Sequence, residues 1–384
     1  MINIAIINAH AEVGGPDVAL LTMLKSFKSE DFNITAVFPC ESYITTEIER
    51  LGFTVIFLKT APLTRDIMGA GFFSYVYNFF ISVFQFRKFY NKNKIDIIHN
   101  NSSALVTSTI ATFFLRIKVV YHIREVWSNR NLLAKLLYKF IHRTADHIIC
   151  ITQTSFYKNF KSDRDGIPSN VSIINDAVDL DLYENGKFQK ADGIKDPLVI
   201  TCIGRITPIK GQDIFVKAAA SLLSTSPGIK LNFRIIGDIP NKSNYYIKYR
   251  DELKSFVSQQ HMEKDILFYG FRNDIPSLLE QSNILVLPSR IEEGLGLVML
   301  EGWAAKNLVI TSNLGGQKEI IESALAGLTF ENENAEDLAK KIALFWTARD
   351  LVLPLIERGH KNVFTNFDSS QYFKKIATIY KKIS

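Results

Sequence analysis

The chain has 384 residues, 47% of them hydrophobic and 22% charged, with a net charge of +6 spread widely. That length allows two domains with cores of their own, and the balance is polar enough for solubility. The small basic excess suits an anionic ligand or a membrane surface; no RNA-binding or helix-turn-helix signature is present, so nucleic acid is excluded as an expected partner.

Cys40, Cys150 and Cys202 are far apart and form neither a metal nor a redox spacing, which points to a reducing compartment. The opening MINIAIINAH lacks a basic leader, so it reads as a first strand and no signal peptide is expected. Ile2 to Asn8 is a continuous β-branched run of the kind buried in parallel sheets. It leads into HAEVGGPDVAL, where Gly14 and Gly15 precede Pro16 and a helix beginning near Asp17. That order suits a tight strand-to-helix turn. The full G-x-G-x-x-G spacing is missing, which disfavours a dehydrogenase.

Strand-like runs recur at Asn33 to Phe38, Thr54 to Leu58, Ile95 to His99, Lys118 to His122, His147 to Thr152 and Val171 to Ile174. Helical segments separate most of them, the βαβ rhythm of a doubly wound parallel sheet. Met68 to Tyr90 is apolar over about the length of a membrane span. Yet Ser74, Asn78, Ser82 and Gln85 recur at three- and four-residue spacing, a polar stripe that a spanning helix does not need. A soluble-domain helix with an aromatic exterior is expected. It either packs in the core or docks on a bilayer, with Arg87, Lys88, Lys92 and Lys94 meeting anionic headgroups. His99, Asn100 and His122 fall at strand ends, where open α/β sheets place their ligands. Arg124 and Glu125 follow His122 and either line an acceptor mouth or pair with each other. Leu182 to Asp196 is polar and without periodicity, so it reads as an interdomain linker.

The second half repeats the rhythm, with strands expected at Leu198 to Ile203, Asn232 to Ile236, Ile266 to Tyr269, Ile284 to Leu287 and Leu308 to Thr311. After the first comes GRITPIKGQDIFVKAA: Gly204, a forked permanent cation at Arg205, and a mobile point charge at Lys210 ahead of an amphipathic helix from Asp213. Gly237 and Gly270 close the next two strands, and Phe271 and Arg272 follow the second. The stretch Leu287 to Asn307 then passes from a strand end through a glycine-punctuated loop into a helix. Its carboxylates Glu293 and Glu301 stand eight positions apart, with Gly294 and Gly296 between them. Backbone can approach a ligand there, and a loop feeding a helix start offers unpaired N–H groups to phosphate. Acids that take hydroxyls beside amides that take phosphate suit a sugar nucleotide. Glycoside hydrolysis fits poorly: on one continuous helix, backbones eight residues apart lie about 12 Å from each other, and a hydrolytic pair needs roughly 5 to 9.5 Å between carboxyl groups. SNLGGQKEII adds Gly315, Gly316 and Glu319. Helices are expected at Ala335 to Trp346 and Tyr372 to Ile383.

EGLGLVMLE resembles the E-x7-E signature of retaining glycosyltransferases of the GT-B fold, family 4 (glycosyl transferases group 1). The G-R-…-K-G element from Gly204, the G-G-x-x-E after Thr311, and NDAVD at Asn175 to Asp179 are similar to that family's motifs. In the last, Asp176-Ala177 stand where glycine is usual, which puts the local turn in question. The resemblance implies two Rossmann-like doubly wound domains facing a cleft: residues 1–185 for the acceptor, a linker at 186–197, residues 198–365 for the donor, and a C-terminal helix at 366–384 crossing back to the first domain. It puts the donor sugar against Glu293, the ribose on Glu301, and sugar and phosphate on the backbone of Gly294, Leu295, Gly296 and Leu297. Arg205 and Lys210 would neutralise the departing diphosphate, His122 would approach donor sugar or acceptor, and Gly14 and Gly15 would face the cleft. Gly204, Gly237, Gly270, Phe271 and Arg272 would surround the nucleotide. The implied reaction moves a sugar from a nucleotide diphosphate, a UDP-sugar by preference, to a saccharide or lipid-linked hydroxyl, without metal or other cofactor. It would serve cell-surface polysaccharide or glycolipid synthesis in the cytoplasm, at the inner face of the plasma membrane if the aromatic helix docks there. A silent, membrane-docked binding subunit and a nucleotide-sugar epimerase of the same fold are the alternatives.

Overall fold

The computed structural model describes residues 1–9, 14–27, 31–63, 72–127, 132–160, 166–184 and 196–384. The turn at 10–13, residues 68–71 ahead of the aromatic helix, and all of the expected linker except its two ends lie outside these. Two compact units emerge: Met1–Ala177 together with Ser369–Ser384, and Val178–Asp368.

The first unit holds strands β1 (Ile2–Ile7), β2 (Phe32–Phe38), β3 (Thr54–Phe57), β4 (Ile97–Asn100), β5 (Lys118–Ile123), β6 (His147–Cys150) and β7 (Val171–Ile173). They form one sheet in the order β3-β2-β1-β4-β5-β6-β7, every pair parallel. The continuous apolar runs follow from burial on both faces. Ile4 and Ile6 enter one core, with Tyr372, Ile376 and Tyr380 of the last helix, Ser369–Ile383. Ala5 and Ile7, pointing the other way, enter a second core with Phe86, Phe89 and Tyr90 of the helix Phe72–Asn93.

The second unit holds β8 (Leu198–Ile203), β9 (Leu231–Ile236), β10 (Ile266–Gly270), β11 (Ile284–Leu287), β12 (Leu308–Ser312) and β13 (Leu328–Phe330). Their order is β10-β9-β8-β11-β12-β13, again all parallel. Strand β13 is three residues long at a sheet edge, too short for a periodicity to show. The helix Arg349–Asn366 also goes beyond the sequence reading, because Pro354 in its interior looks like a stop. Burial of Val352, Ile356 and Val363 holds it.

In each sheet the first strand lies between the second and a later one, β1 beside β4 and β8 beside β11. The connections leave in opposite directions at those two places, opening a crevice beyond the carboxyl ends of the strands.

Candidate active site

The switch point of the second sheet collects the charged groups. Past β8 the chain makes a 3-10 turn at Pro208–Lys210, and Gly211 then starts the helix Gln212–Thr225. Gly211 has φ +67°, and a Cβ there would stand 2.0 Å from the Pro288 carbonyl oxygen. Only glycine lets the turn that carries Lys210 lie so close to the end of β11. Lys210 Nζ reaches Glu293 Oε2 at 2.7 Å, with both side chains about a fifth to a quarter exposed. Ser289 Oγ donates to the other oxygen of Glu293, and Ser312 Oγ fixes the Ser289 carbonyl at 2.6 Å. Burial pushes the Glu293 carboxyl up, but the Lys210 ammonium, the Ser289 hydroxyl and the Arg205 guanidinium outweigh it and hold the group below its ordinary range. Glu293 is therefore an anion at neutral pH.

Arg290, absent from the sequence reading, clamps the two loops. Its fork meets Asp213 at 2.7 and 2.6 Å, its Nη1 also donates to the Pro208 carbonyl at 2.8 Å, and its backbone N–H donates to the Ile209 carbonyl at 2.9 Å. Tyr249 completes the group by donating to Asp213 at 2.9 Å. An arginine three residues after a strand end carries no signal of its own. Its meaning depends on where Asp213 and the Pro208 turn fold.

The loop from Glu293 enters the helix Leu297–Ala304 through Gly296, whose φ is +77°, and no side chain caps the helix start. The first amides stand ahead of the intrahelical ladder and remain available to an anion. A second helix start abuts the same loop, since the Gly316 N–H donates to the Glu293 carbonyl at 2.9 Å. Glu301 sits one turn into the first helix, half-buried, and its carboxyl has no hydrogen-bond partner among the described residues. Burial alone raises its carboxyl to about 7. The two glutamates thus differ in kind, one a paired anion and the other a carboxyl balanced between its protonation states.

Gly237, with φ +135°, would drive a Cβ to 2.1 Å from the Gly204 carbonyl oxygen, so it is a packing requirement between the ends of β8 and β9. Its N–H donates to the Gly270 carbonyl at 2.8 Å. Phe271 beyond is exposed, and Arg272 pairs with Asp274 at 2.7 and 2.5 Å.

Gly14, Gly15 and His122 belong to the first unit. Gly14 stands ahead of the helix Gly15–Lys25, its carbonyl accepting from the Asp17 and Val18 amides at 3.1 Å. His122 presents no exposed ring: it is fully buried, with Nδ1 3.3 Å from His99 Nε2 and Nε2 3.8 Å from Asp176. Burial and then the nearby Arg124 keep both imidazoles neutral, His99 at about 3 and His122 well below its ordinary value. Arg124 does not line a surface either. It bonds Asp176 at 3.0 Å, Tyr372 at 2.9 Å and Asn101, while Tyr380 bonds His99 at 2.6 Å. Two tyrosines near the chain end therefore complete a polar network at the ends of β4 and β5. No run of nearby residues could have revealed it.

Among the described residues, no three His, Cys, Asp or Glu side chains converge as a metal would require, and no helix is long and apolar enough to cross a membrane.

The family model "Glycosyltransferase Family 4" matches residues 13–182, and "Glycosyl transferases group 1" matches residues 185–362. The chain is 26% identical over 317 residues, 78% of each protein, to the UDP-Gal:alpha-D-GlcNAc-diphosphoundecaprenol alpha-1,3-galactosyltransferase of Escherichia coli. It is 27% identical over 230 residues, 58% of this chain and 63% of the other, to the lipopolysaccharide core biosynthesis mannosyltransferase LpcC of Rhizobium leguminosarum bv. viciae. Anabaena Alr3699/HepE, solved in complex with UDP-glucose, superposes with a TM-score of 0.82 at 19% identity, covering 100% of both chains. The two parallel-sheet units are those of the GT-B fold.

Proposed function

The chain belongs to the group 1, family 4 glycosyltransferases, and on that membership we propose that it transfers a sugar from a UDP-sugar with retention and without metal. Nucleotide-sugar-dependent glycosyl transfer follows from the family; polysaccharide or glycolipid synthesis is the setting its relatives' names describe. The observation that carries the finer reading is the Lys210–Glu293 pair at the switch point of the second sheet, beside an uncapped helix start and the unpartnered Glu301.

In the reaction, the bond between the anomeric carbon and the β-phosphate oxygen breaks, and its electrons go to the phosphate. The acceptor oxygen bonds to the same face of the sugar, and its proton passes to the departing phosphate oxygen. Charge grows on the diphosphate, where Arg205 and Lys210 supply the compensating cations. Groups fixed in advance stabilise that charge without reorganising. Without ligand, Lys210 rests on Glu293; with ligand, the ammonium serves the phosphate and the Glu293 carboxylate accepts from sugar hydroxyls. Glu301 takes the ribose. The acceptor hydroxyl, on a saccharide or a lipid-linked saccharide, is selected by the first unit.

Incubating the protein with a panel of nucleotide sugars tests the proposal. UDP and one UDP-sugar should raise the melting temperature, since a ligand bound to the native state stabilises it, and that sugar nucleotide should slowly release UDP. Release should continue in EDTA; its loss would refute metal independence. Binding without any turnover, across acceptors, would favour the silent subunit.

Arg290→Lys keeps the charge but loses the fork that spans Asp213 and the Pro208 carbonyl. We expect kcat to fall about tenfold, with KM for the donor changed much less, because the loop bearing Lys210 loses its fixed position while both ligand-binding acids remain. A change in KM alone would make Arg290 a binding residue and not a positioning one.

A further inference from the structure

The helix Phe72–Asn93 packs Phe86, Phe89 and Tyr90 into the core, but ahead of Phe86 it is inside out relative to an ordinary surface helix. Three of the four residues of its polar stripe turn onto the unit: Ser82, fully buried, donates to Thr107 at 2.9 Å, Gln85 accepts from the Lys59 N–H at 3.1 Å, and Asn78 accepts from Lys59 Nζ at 3.3 Å, while Ser74 is exposed. Its aromatic stripe faces out. Phe73, Tyr77, Phe80 and Phe84 follow one another at steps of four, three and four, and are 85%, 66%, 66% and 70% exposed. Arg87, on the same face, donates from Nη1 to the Phe113 carbonyl at 3.2 Å, which fastens the next loop beside the stripe. In that loop Phe114 is 96% exposed at φ +67°. A bulky side chain rarely adopts that backbone conformation, and here it sends a ring into water.

From these observations we propose that this face seats the protein on an anionic lipid bilayer. An apolar stripe of this kind marks an interaction surface, since single scattered aromatics are ordinary but a contiguous row is not. Charge chooses the occupant. Arg87, Lys88, Lys92 and Lys94 follow the rings along the chain, Arg116 follows Phe114 by two, all five are exposed, and the sequence from 67 to 95 contains neither Asp nor Glu. A second copy pairing through the same face would bring these cations against each other. Anionic headgroups would instead neutralise them while the rings enter the interfacial layer. No described helix can span a bilayer, so the contact lies along the surface. The inference is independent of the donor-site reading.

The test is cosedimentation of the full chain with phosphatidylcholine vesicles, with and without phosphatidylglycerol. Partition should be at least about tenfold stronger with phosphatidylglycerol, should weaken with salt, and should fall about tenfold in Phe80→Ser/Phe84→Ser/Phe114→Ser. The three rings are exposed, so the variant should fold and keep the UDP-induced thermal shift; a wild-type shift in both proteins separates this outcome from failure of the donor reading. Absence of wild-type binding, equal binding by the variant, or conversion of a wild-type dimer to monomer by the same substitutions would each overturn the assignment. Should the triple variant fail to fold, Lys88→Glu/Lys92→Glu replaces it with the same expectation.

Discussion

Lys210→Ala is expected to lower kcat by about two to three orders of magnitude, the range seen when one preorganised electrostatic contact to a developing charge is removed. KM for the donor should move much less, because in the proposed site Arg205 and the helix-start amides would still hold the diphosphate in the ground state. Lys210 Nζ is 2.7 Å from Glu293, and the ammonium is the first favourable influence opposing the burial that pushes that carboxyl up. Removing the lysine therefore also raises the Glu293 carboxyl and weakens its anionic form. Lys210→Ala/Glu293→Gln separates the two effects: it removes the uncompensated acid, so stability should recover relative to the single variant while turnover stays low. Lys210→Arg keeps a cation in a different shape and should restore part of kcat. If Lys210→Ala turns over normally, the lysine does not meet the leaving group.

Much of the fold was legible because parallel strands buried on both faces leave unbroken apolar runs, such as IAII in β1 and ILVL in β11. What escaped had no local signature. Strand β13 is too short, and the helix Arg349–Asn366 is masked by Pro354. Glu293, Glu301, Arg205 and Lys210 are expected at the site because they stand in the stretches that resemble the family's E-x7-E and G-R-…-K-G motifs, each next to a glycine. Arg290 and Asp213 are 77 residues apart, and neither acquires a meaning until β8 and β11 lie side by side. His122 shows the reverse case. A strand-end histidine suggests chemistry, but sequence cannot reveal that the ring is fully buried with Tyr372, 250 residues on, beside it. The aromatic helix was ambiguous for a related reason: the 3.6-residue period separates polar and aromatic stripes equally well whichever of them faces the core.

Glu301→Gln is expected to weaken UDP binding about ten- to a hundredfold at pH 8, the cost of losing hydrogen bonds to a charged acceptor at about 1.5 to 3 kcal/mol. The pH dependence gives this its sharper form. In the unliganded protein the Glu301 carboxyl is raised to about 7 by burial, from 4.5. Between those values the folded state keeps a proton that the unfolded chain has lost. Unliganded stability therefore declines as pH rises from 4.5 to about 7 and levels off above it, by at most about 3 kcal/mol given the solvent access of a half-buried group. Glutamine removes that dependence, so the variant should melt higher than the parent at pH 8 and close to it near pH 4.5. Ribose hydroxyls need the carboxylate as acceptor, so UDP binding by the parent should expel a proton near pH 7 and weaken up to about tenfold for each unit below it. The UDP phosphates titrate in both proteins, so the difference between parent and Glu301→Gln isolates this residue. Calorimetry in buffers of different ionisation enthalpy measures it directly. Equal UDP affinity in the two proteins, or equal proton release, would remove Glu301 from ribose recognition and leave its raised carboxyl a consequence of packing alone.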